Sequence, residues 1–268
     1  MRLPLLLPTL AAAGLVACVA PSPPSAEASP AQRVAALLPA DAVLLGEQHD
    51  APEHQAIERE TVQLLAGRLQ LAALAIEMAE QGNGTGYLAA TASETQVRTA
   101  LAWDDKGWPW SAYGPVVMAA VQAGVPVVGA NLPRERMRDA MADVSLDAQL
   151  SDAARKAQRE AVRSGHCNLL PEAQIVPMTR IQIARDRAMA QTIVQARVPG
   201  KTVLLVSGAG HGNKAVGVPQ LLPTDLVVKV VQLQAGQAGG TGAGSYDAVW
   251  RTPALPEKDY CAALRRSP

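Results

Sequence analysis

The 268-residue chain has no phenylalanine, and its only aromatic residues are four tryptophans and four tyrosines. A core built on aromatic packing is therefore excluded, and any local clustering of rings departs from the background. An excess of one charge is missing too, since 24 basic residues balance 24 acidic ones. No basic block stands out, which argues against a nucleic-acid partner and against an electrostatic membrane patch. Long hydrophobic runs are absent after the first residues, where Pro4 and Pro8 interrupt the leucines. That stretch is shorter than the roughly 20 residues a spanning helix requires.

What the N-terminus does contain is a targeting pattern. Arg2 is followed by Leu3, Leu5, Leu6, Leu7 and Leu10, and the segment closes on Leu15-Val16-Ala17-Cys18. This reads as a lipoprotein signal peptide over residues 1–18, with a lipid anchor on Cys18. Residues 19–31 are rich in Pro, Ser and Ala and read as a tether. Residues 32–268 remain for one domain large enough to bury a core. Val19, rather than an acid, follows Cys18, which points to the cell envelope, with the anchor in the outer membrane and the domain facing the periplasm. With Cys18 lipidated, Cys167 and Cys261 are candidates for a disulfide in an oxidising compartment, two separate thiols being the alternative.

Short apolar runs rich in Val, Leu and Ile alternate with helical patterns. That alternation predicts an α/β fold with a largely parallel central sheet flanked by helices. Strands are expected at residues 42–46, 72–77, 125–129, 202–207 and 226–232. Asp50, Pro52 and Glu53 mark a helix start, with Asp50 as the cap. A shorter helix is expected over 113–123, and the charged, Ala-rich segments 131–165 and 178–197 form a helical insertion between the third and fourth strands. Residues 234–245 are of low complexity and predict a mobile loop.

In such sheets ligands bind beyond the carboxyl ends of the strands. The first strand ends in Gly46-Glu47-Gln48-His49-Asp50, the second at Glu77-Met78, the third at Asn131 and the fourth in Gly208-Ala209-Gly210-His211-Gly212. Glu47, His49, Glu77 and His211 are therefore candidate ligands for zinc, manganese or cobalt, or alternatively an acid–base set. The bland reading makes Asp50 a cap, pairs Glu47 with an arginine and leaves the glycines to turn the chain. Those glycines lack the spacing of a dinucleotide fingerprint. Gln182, Arg185 and Asp186 share one helix face, which is either solvated or directed at the rim. Trp103, Trp108, Trp110 and Tyr113 form either core beneath an insertion or the wall of an apolar slot.

A longer series of motifs carries a resemblance. Gly46-Glu47-Gln48-His49-Asp50, Ile76-Glu77-Met78, Trp108-Pro109 before Tyr113-Gly114-Pro115, Asn131-Leu132, Ser164-Gly165-His166-Cys167 with Leu170-Pro171, Gln182 to Ala190, Gly210-His211, Gly217-Val218-Pro219 and Tyr246-Asp247 with Trp250 and Thr252-Pro253 follow one another in this order. The chain thereby resembles the ChaN-like haem-binding lipoproteins over nearly all of the mature domain. The resemblance implies a protein of bacterial iron acquisition that binds haem, with a homodimer as a candidate state. It also implies an axial ligand, an apolar slot and cations for the propionates. Tyr113, Tyr87 and Tyr246 are candidate phenolates, His49, His54 and His211 candidate imidazoles, and Arg185 and Arg134 candidate propionate partners. Tyr113 is favoured because it matches the family's Tyr-x-Pro segment beside tryptophans. The family is similar in turn to the Tiki metalloproteases and erythromycin esterases, whose Glu and His after the first strand are hydrolytic. A metal-dependent hydrolase using Glu47, His49, Glu77 and His211, with Arg185 stabilising transition-state charge, is the alternative.

Overall fold

A computed structural model describes residues 28–237 and 245–266. Its framework is one six-stranded sheet: β1 (Ala42–Glu47), β2 (Leu71–Glu80), β3 (Val127–Asn131), β4 (Thr202–Gly208), β5 (Val228–Ala235) and β6 (Ala248–Thr252). The spatial order is β3-β2-β4-β1-β5-β6. Every adjacent pair is parallel, as the alternating pattern predicts. The helices, in chain order, are α1 (Pro30–Ala35), α2 (Pro52–Gly67), α3 (Glu94–Ala100), α4 (Trp110–Gln122), α5 (Met137–Ala142), α6 (Asp152–Gly165), α7 (Glu172–Gln195), α8 (Ala209–Gly212) and α9 (Ala262–Arg266). No described helix is long and apolar enough to cross a membrane.

The central strands are buried on both faces, which is why they read as continuous apolar runs. Along β1 and β4, Val43, Leu45, Leu204 and Val206 join α2 and α4 in one core, while Ala42, Leu44, Val203 and Leu205 join Met189 and Ile193 of α7 in another. Successive side chains thus serve opposite layers, as the two-residue period of a strand requires. The helical insertion encloses a third, smaller core around Leu132, Leu146, Ile183 and Val216.

Several local expectations are corrected. Helix α2 starts where predicted, with Pro52 in the first turn and Glu53 facing the positive end of its dipole, but its N-cap is Ala51 and no side chain caps it. Asp50 instead binds Lys258 and Tyr260, each at 3.0 Å. Helix α4 begins three residues before the predicted start, at Trp110. Strand β6 was not expected; it contains one buried residue, Trp250, flanked by exposed positions, too little apolar pattern to announce a strand. The capped helix α1 starts at Pro30, inside the expected tether, with Ser29 and Gln32 forming a capping box. Gln234 and Ala235 of the low-complexity stretch complete β5. Residues 238–244 and the expected signal peptide with Cys18 lie outside the described residues.

Strand β2 contains the irregularity that shapes the site. Its pairing with β3 runs Ile76 to Gly129 and then jumps to Glu80 opposite Asn131, so four steps on β2 face two on β3. Such bulges re-aim side chains beside functional sites. The bulge brings the β2 backbone so close that a Cβ on Gly129 would stand 2.1 Å from the Glu80 carbonyl oxygen.

Cys167 and Cys261 form a disulfide across 94 residues, with Cα atoms 5.8 Å apart. Closing a loop of that length removes chain entropy equivalent to about 4–5 kcal/mol. The bond ties the turn between α6 and α7 to the C-terminal segment after β6.

Candidate functional site

The carboxyl ends of β1, β2 and β4 converge on a cavity of about 390 Å³, lined among others by His49, Glu77, His166, Arg185 and His211. Glu47 is the last residue of β1 and is buried. One of its oxygens accepts from the Tyr113 hydroxyl at 2.7 Å and lies 2.8 Å from His49 Nδ1; the other accepts from Gln55 at 2.5 Å. His49 Nε2 faces Glu77 at 3.9 Å. Glu77 also accepts from Arg185 at 2.5 Å and from the Gly208 backbone N–H at 2.7 Å. On the far side of Glu77 stands His211 Nε2, at 3.6 Å, and His211 Nδ1 meets buried Asp186 at 2.5 Å. Glu47, His49, Glu77, His211 and Asp186 are thus a continuous chain in which carboxylates and imidazoles alternate. Close approach requires Gly208 here, since a Cβ would come within 3.0 Å of His49 Nε2.

Burial alone would lower the His211 imidazole, but the charges of Glu77 and Asp186 and its hydrogen bond to Asp186 raise it to about 9. For Glu77 burial acts upward and is outweighed, first by the nearby charge of His211, then by Arg185 and His49, which hold the carboxyl well below the usual range. His49 is also raised, with burial opposing the Glu47 hydrogen bond and the two carboxylate charges. At neutral pH the centre of the chain is therefore an ion cluster, with carboxylate Glu77 beside imidazolium His211 and the guanidinium of Arg185.

Beneath it lies a group that sequence reasoning missed. Glu58 is fully buried on α2, and neither of its oxygens meets a donor. Burial and then the charge of neighbouring Glu47 push its carboxyl well up, so Glu58 retains its proton. The signal was present in the helix: His54, Gln55, Glu58 and Thr61 recur at helical spacing and are all buried. Two further omissions are Asp186 as the partner of His211 and His166 as a lining residue.

The structure brings Glu47, His49, Glu77, Arg185 and His211 together at one rim, but not as a metal centre. Glu47 and Glu77 sit on opposite nitrogens of His49, and Glu77 and Asp186 on opposite nitrogens of His211, so the donors point at one another rather than at a common point. Among the described residues no group of three or more His, Cys, Asp or Glu side chains is arranged to hold a metal ion. This geometry lends no support to the metal-ligand expectation for Glu47, His49, Glu77 and His211.

The Tyr113 hydroxyl is turned inward, away from the cavity lining. The residue is 3 % exposed, its hydroxyl is engaged by Glu47, and burial together with the Glu47 charge pushes the phenol far above its ordinary value. A phenolate beside a buried carboxylate would place two like charges together. Tyr246 donates to the Ala209 carbonyl at 3.0 Å. His54 is buried between the Gln48 N–H and the Thr252 hydroxyl. Tyr87 is exposed and lines a separate cavity of about 540 Å³ against Gln81, Asn83 and Thr192. That cavity is the larger of the two, but it contains no charged residue; the titratable chemistry is at the rim. Arg134 is exposed beside Asp104. The face of Gln182, Arg185 and Asp186 is not solvated: the first two line the cavity and the third is buried. Trp103, Trp108 and Trp110 all pack against the α2/α4 core; Trp108 also meets His49 edge-on at 4.8 Å, and Trp103 and Trp110 meet edge-on at 4.9 Å.

The family model for haem-binding uptake proteins of the Tiki superfamily, ChaN, matches residues 33–222. Among solved structures the chain is similar to that of ChaN of Campylobacter jejuni with cofacially bound haem, with a TM-score of 0.68 and 24 % identity over 81 % of this chain and 89 % of that one. At this identity the likeness establishes the fold. No curated protein gives a match.

Proposed function

The chain belongs to the ChaN haem-binding uptake family of the Tiki superfamily, and from that premise we propose that it is a haem-binding protein of bacterial iron uptake, anchored to the cell envelope through a lipid on Cys18. The observation that carries the reading is that the family match over residues 33–222 contains the whole rim cluster, from Glu47 to His211. The lining of the cavity matches the chemistry of the cargo, with apolar Ala161, Val162 and Val216 beside the cations Arg185 and His211. An apolar macrocycle with anionic propionates needs that combination. The similar ChaN of Campylobacter jejuni binds haem cofacially. A homodimer in which two copies cover each other's haems is the arrangement we favour here, because the cavity opens to solvent. The Cys167–Cys261 bond agrees with an oxidising compartment outside the cytoplasm.

The test is a titration of the full chain with haemin, read by absorbance and paired with elemental analysis of the purified protein. A saturable Soret shift is expected. Binding no tighter than that of serum albumin would remove the proposal. A second reading, acid–base hydrolysis in the same cavity, is favoured by the alternating chain, where Glu47 orients His49 and leaves its Nε2 on the cavity side. It predicts turnover of activated esters in chelator-treated buffer, abolished in His49→Ala.

A further inference from the structure

We propose that the charge-free cavity beside Tyr87 is a second binding site, independent of the rim, and that its ligand is a neutral saccharide.

The site is built by the segment that follows β2. Residues 81–87 fold back along β3, an edge strand of the sheet. Gly84 bridges Val128 in antiparallel fashion, the Gly129 N–H donates to the Asn83 carbonyl at 2.9 Å, and the Thr85 N–H donates to the Val127 carbonyl at 2.9 Å. The edge is thereby covered. Between this segment and the last turns of α7 lies the cavity of about 540 Å³, inside the range of about 300–1,000 Å³ that small-molecule sites span. No residue lines both this cavity and the rim cavity.

Much of the wall's hydrogen-bonding capacity is unengaged. Gln81 Nε2 donates to the Ala188 carbonyl at 3.1 Å and to the Thr192 hydroxyl at 3.3 Å, which fixes the amide and leaves its oxygen free to accept. The side-chain amides of Asn83 and Gln195 have no hydrogen-bond partner among the described residues, and neither have the backbone N–H groups of Gly82, Gly84 and Gly86. Such groups are completed by water or by a ligand. Tyr87 adds a ring. At 77 % exposure it is the most exposed of the chain's eight aromatic residues.

The class of ligand follows from what each alternative leaves unpaired. An ion would lose its water with no counter-charge to meet it, because no lining residue is charged. A wholly apolar ligand would cover the amides and the free N–H groups without replacing their water. An added peptide strand needs a straight row of donors and acceptors, and turns at residues 81–82 and 86–87 interrupt the segment on both sides of Gly84. A saccharide meets all three conditions. Each hydroxyl both donates and accepts, so it can pair with amide oxygens, amide N–H groups and backbone N–H groups alike. Its C–H face can pack on the exposed ring of Tyr87, and the missing side chains at Gly82, Gly84 and Gly86 permit close approach to the backbone.

The test is saturation-transfer NMR of the full chain with glucose, galactose, mannose, N-acetylglucosamine and their dimers, set against glucosamine, glucuronic acid and an N-acetylated, amidated trialanine. Saturable transfer to at least one neutral sugar is expected, with the charged sugars about tenfold weaker. Affinity should fall about five- to tenfold in Tyr87→Ala and about fivefold in Gln195→Ala, while Tyr87→Phe retains the ring and the binding. Both positions are exposed, so the variants should melt with wild type. Labelling with ¹⁵N-glycine locates the contact with no substitution at all: the amide signals of Gly82, Gly84 and Gly86 should move on titration and those of Gly208 and Gly210 should not. The proposal is overturned if no neutral sugar binds, if binding is the same in wild type, Tyr87→Ala and Gln195→Ala, or if the capped peptide binds more tightly than every sugar.

Discussion

Raising the pH from about 6 to about 10 should strip the rim of its central cation and weaken the whole fold. His211 titrates near 6.5 in an unfolded chain and at about 9 in the folded one, where burial is outweighed by Glu77 and Asp186. A raised folded-state value means that the native protein holds the proton more tightly. The stabilisation is therefore complete below 6.5 and is lost as pH rises through 9. At about 1.4 kcal/mol for each tenfold in proton affinity, the displacement corresponds to about 3 kcal/mol. His211 is nearly buried, so solvent screening leaves most of that in place. For a domain of this size, about 3 kcal/mol lowers the melting temperature by about 6–12 °C. The assay is thermal or urea unfolding across that pH range for wild type and for His211→Gln, which cannot become charged. Wild type should fall steeply between pH 6.5 and pH 9 or slightly above. The variant should start lower, because Asp186 and Glu77 lose their cation, and should lose most of the slope, retaining the smaller share due to His49. A flat wild-type profile, or an unchanged slope in His211→Gln, would refute the ion-cluster account.

Three other predictions concern the surroundings of that cluster. Glu58→Gln removes a proton but not a charge, so stability at neutral pH should change by no more than about 1 kcal/mol in denaturant unfolding; a loss of about 3–5 kcal/mol would mean that Glu58 is ionised. Because the Glu58 carboxyl is raised, it opposes stability as pH rises above the ordinary carboxylate value, and that fall should vanish in the variant. Tyr113→Phe deletes a hydrogen bond to a buried carboxylate and should cost about 1.5–3 kcal/mol, yet leave the haem spectrum in place; loss of the Soret shift in a folded variant would return Tyr113 to the ligand role. Cys167→Ser with Cys261→Ser should lower unfolding free energy by about 4 kcal/mol, and reductant should destabilise wild type but not the double variant.

The layers were legible because buried parallel strands are written as apolar runs, and five of the six strands lay where those runs predicted. Strand β6 was hidden because an edge strand needs only one buried residue, Trp250, to hold its place. The rim was legible because strand ends are the one place in such a sheet where polar residues cluster in sequence. What could not be read was which acid meets which base. Asp186 lies 25 residues from His211 along the chain, and Arg185 lies 108 from Glu77. Glu77 reaches both because a bulge displaces β2, and no residue pattern announces a bulge. The orientation of Tyr113 was hidden for a related reason: its neighbours Trp103 and Trp108 mark a ring cluster, but only the packing of α4 on α2 shows that its hydroxyl points inward to Glu47.

The bond between Cys167 and Cys261 also makes the cavity answer to the redox state of its surroundings. It joins the turn after α6, beside the cavity-lining His166, to the segment after β6, 94 residues further along the chain. The alternating chain of Glu47, His49, Glu77, His211 and Asp186 lies on β1 and the turn after it, β2, α8 and α7, and is joined by its own ion pairs. Reduction would therefore loosen one wall of the cavity and leave the ion cluster opposite it joined.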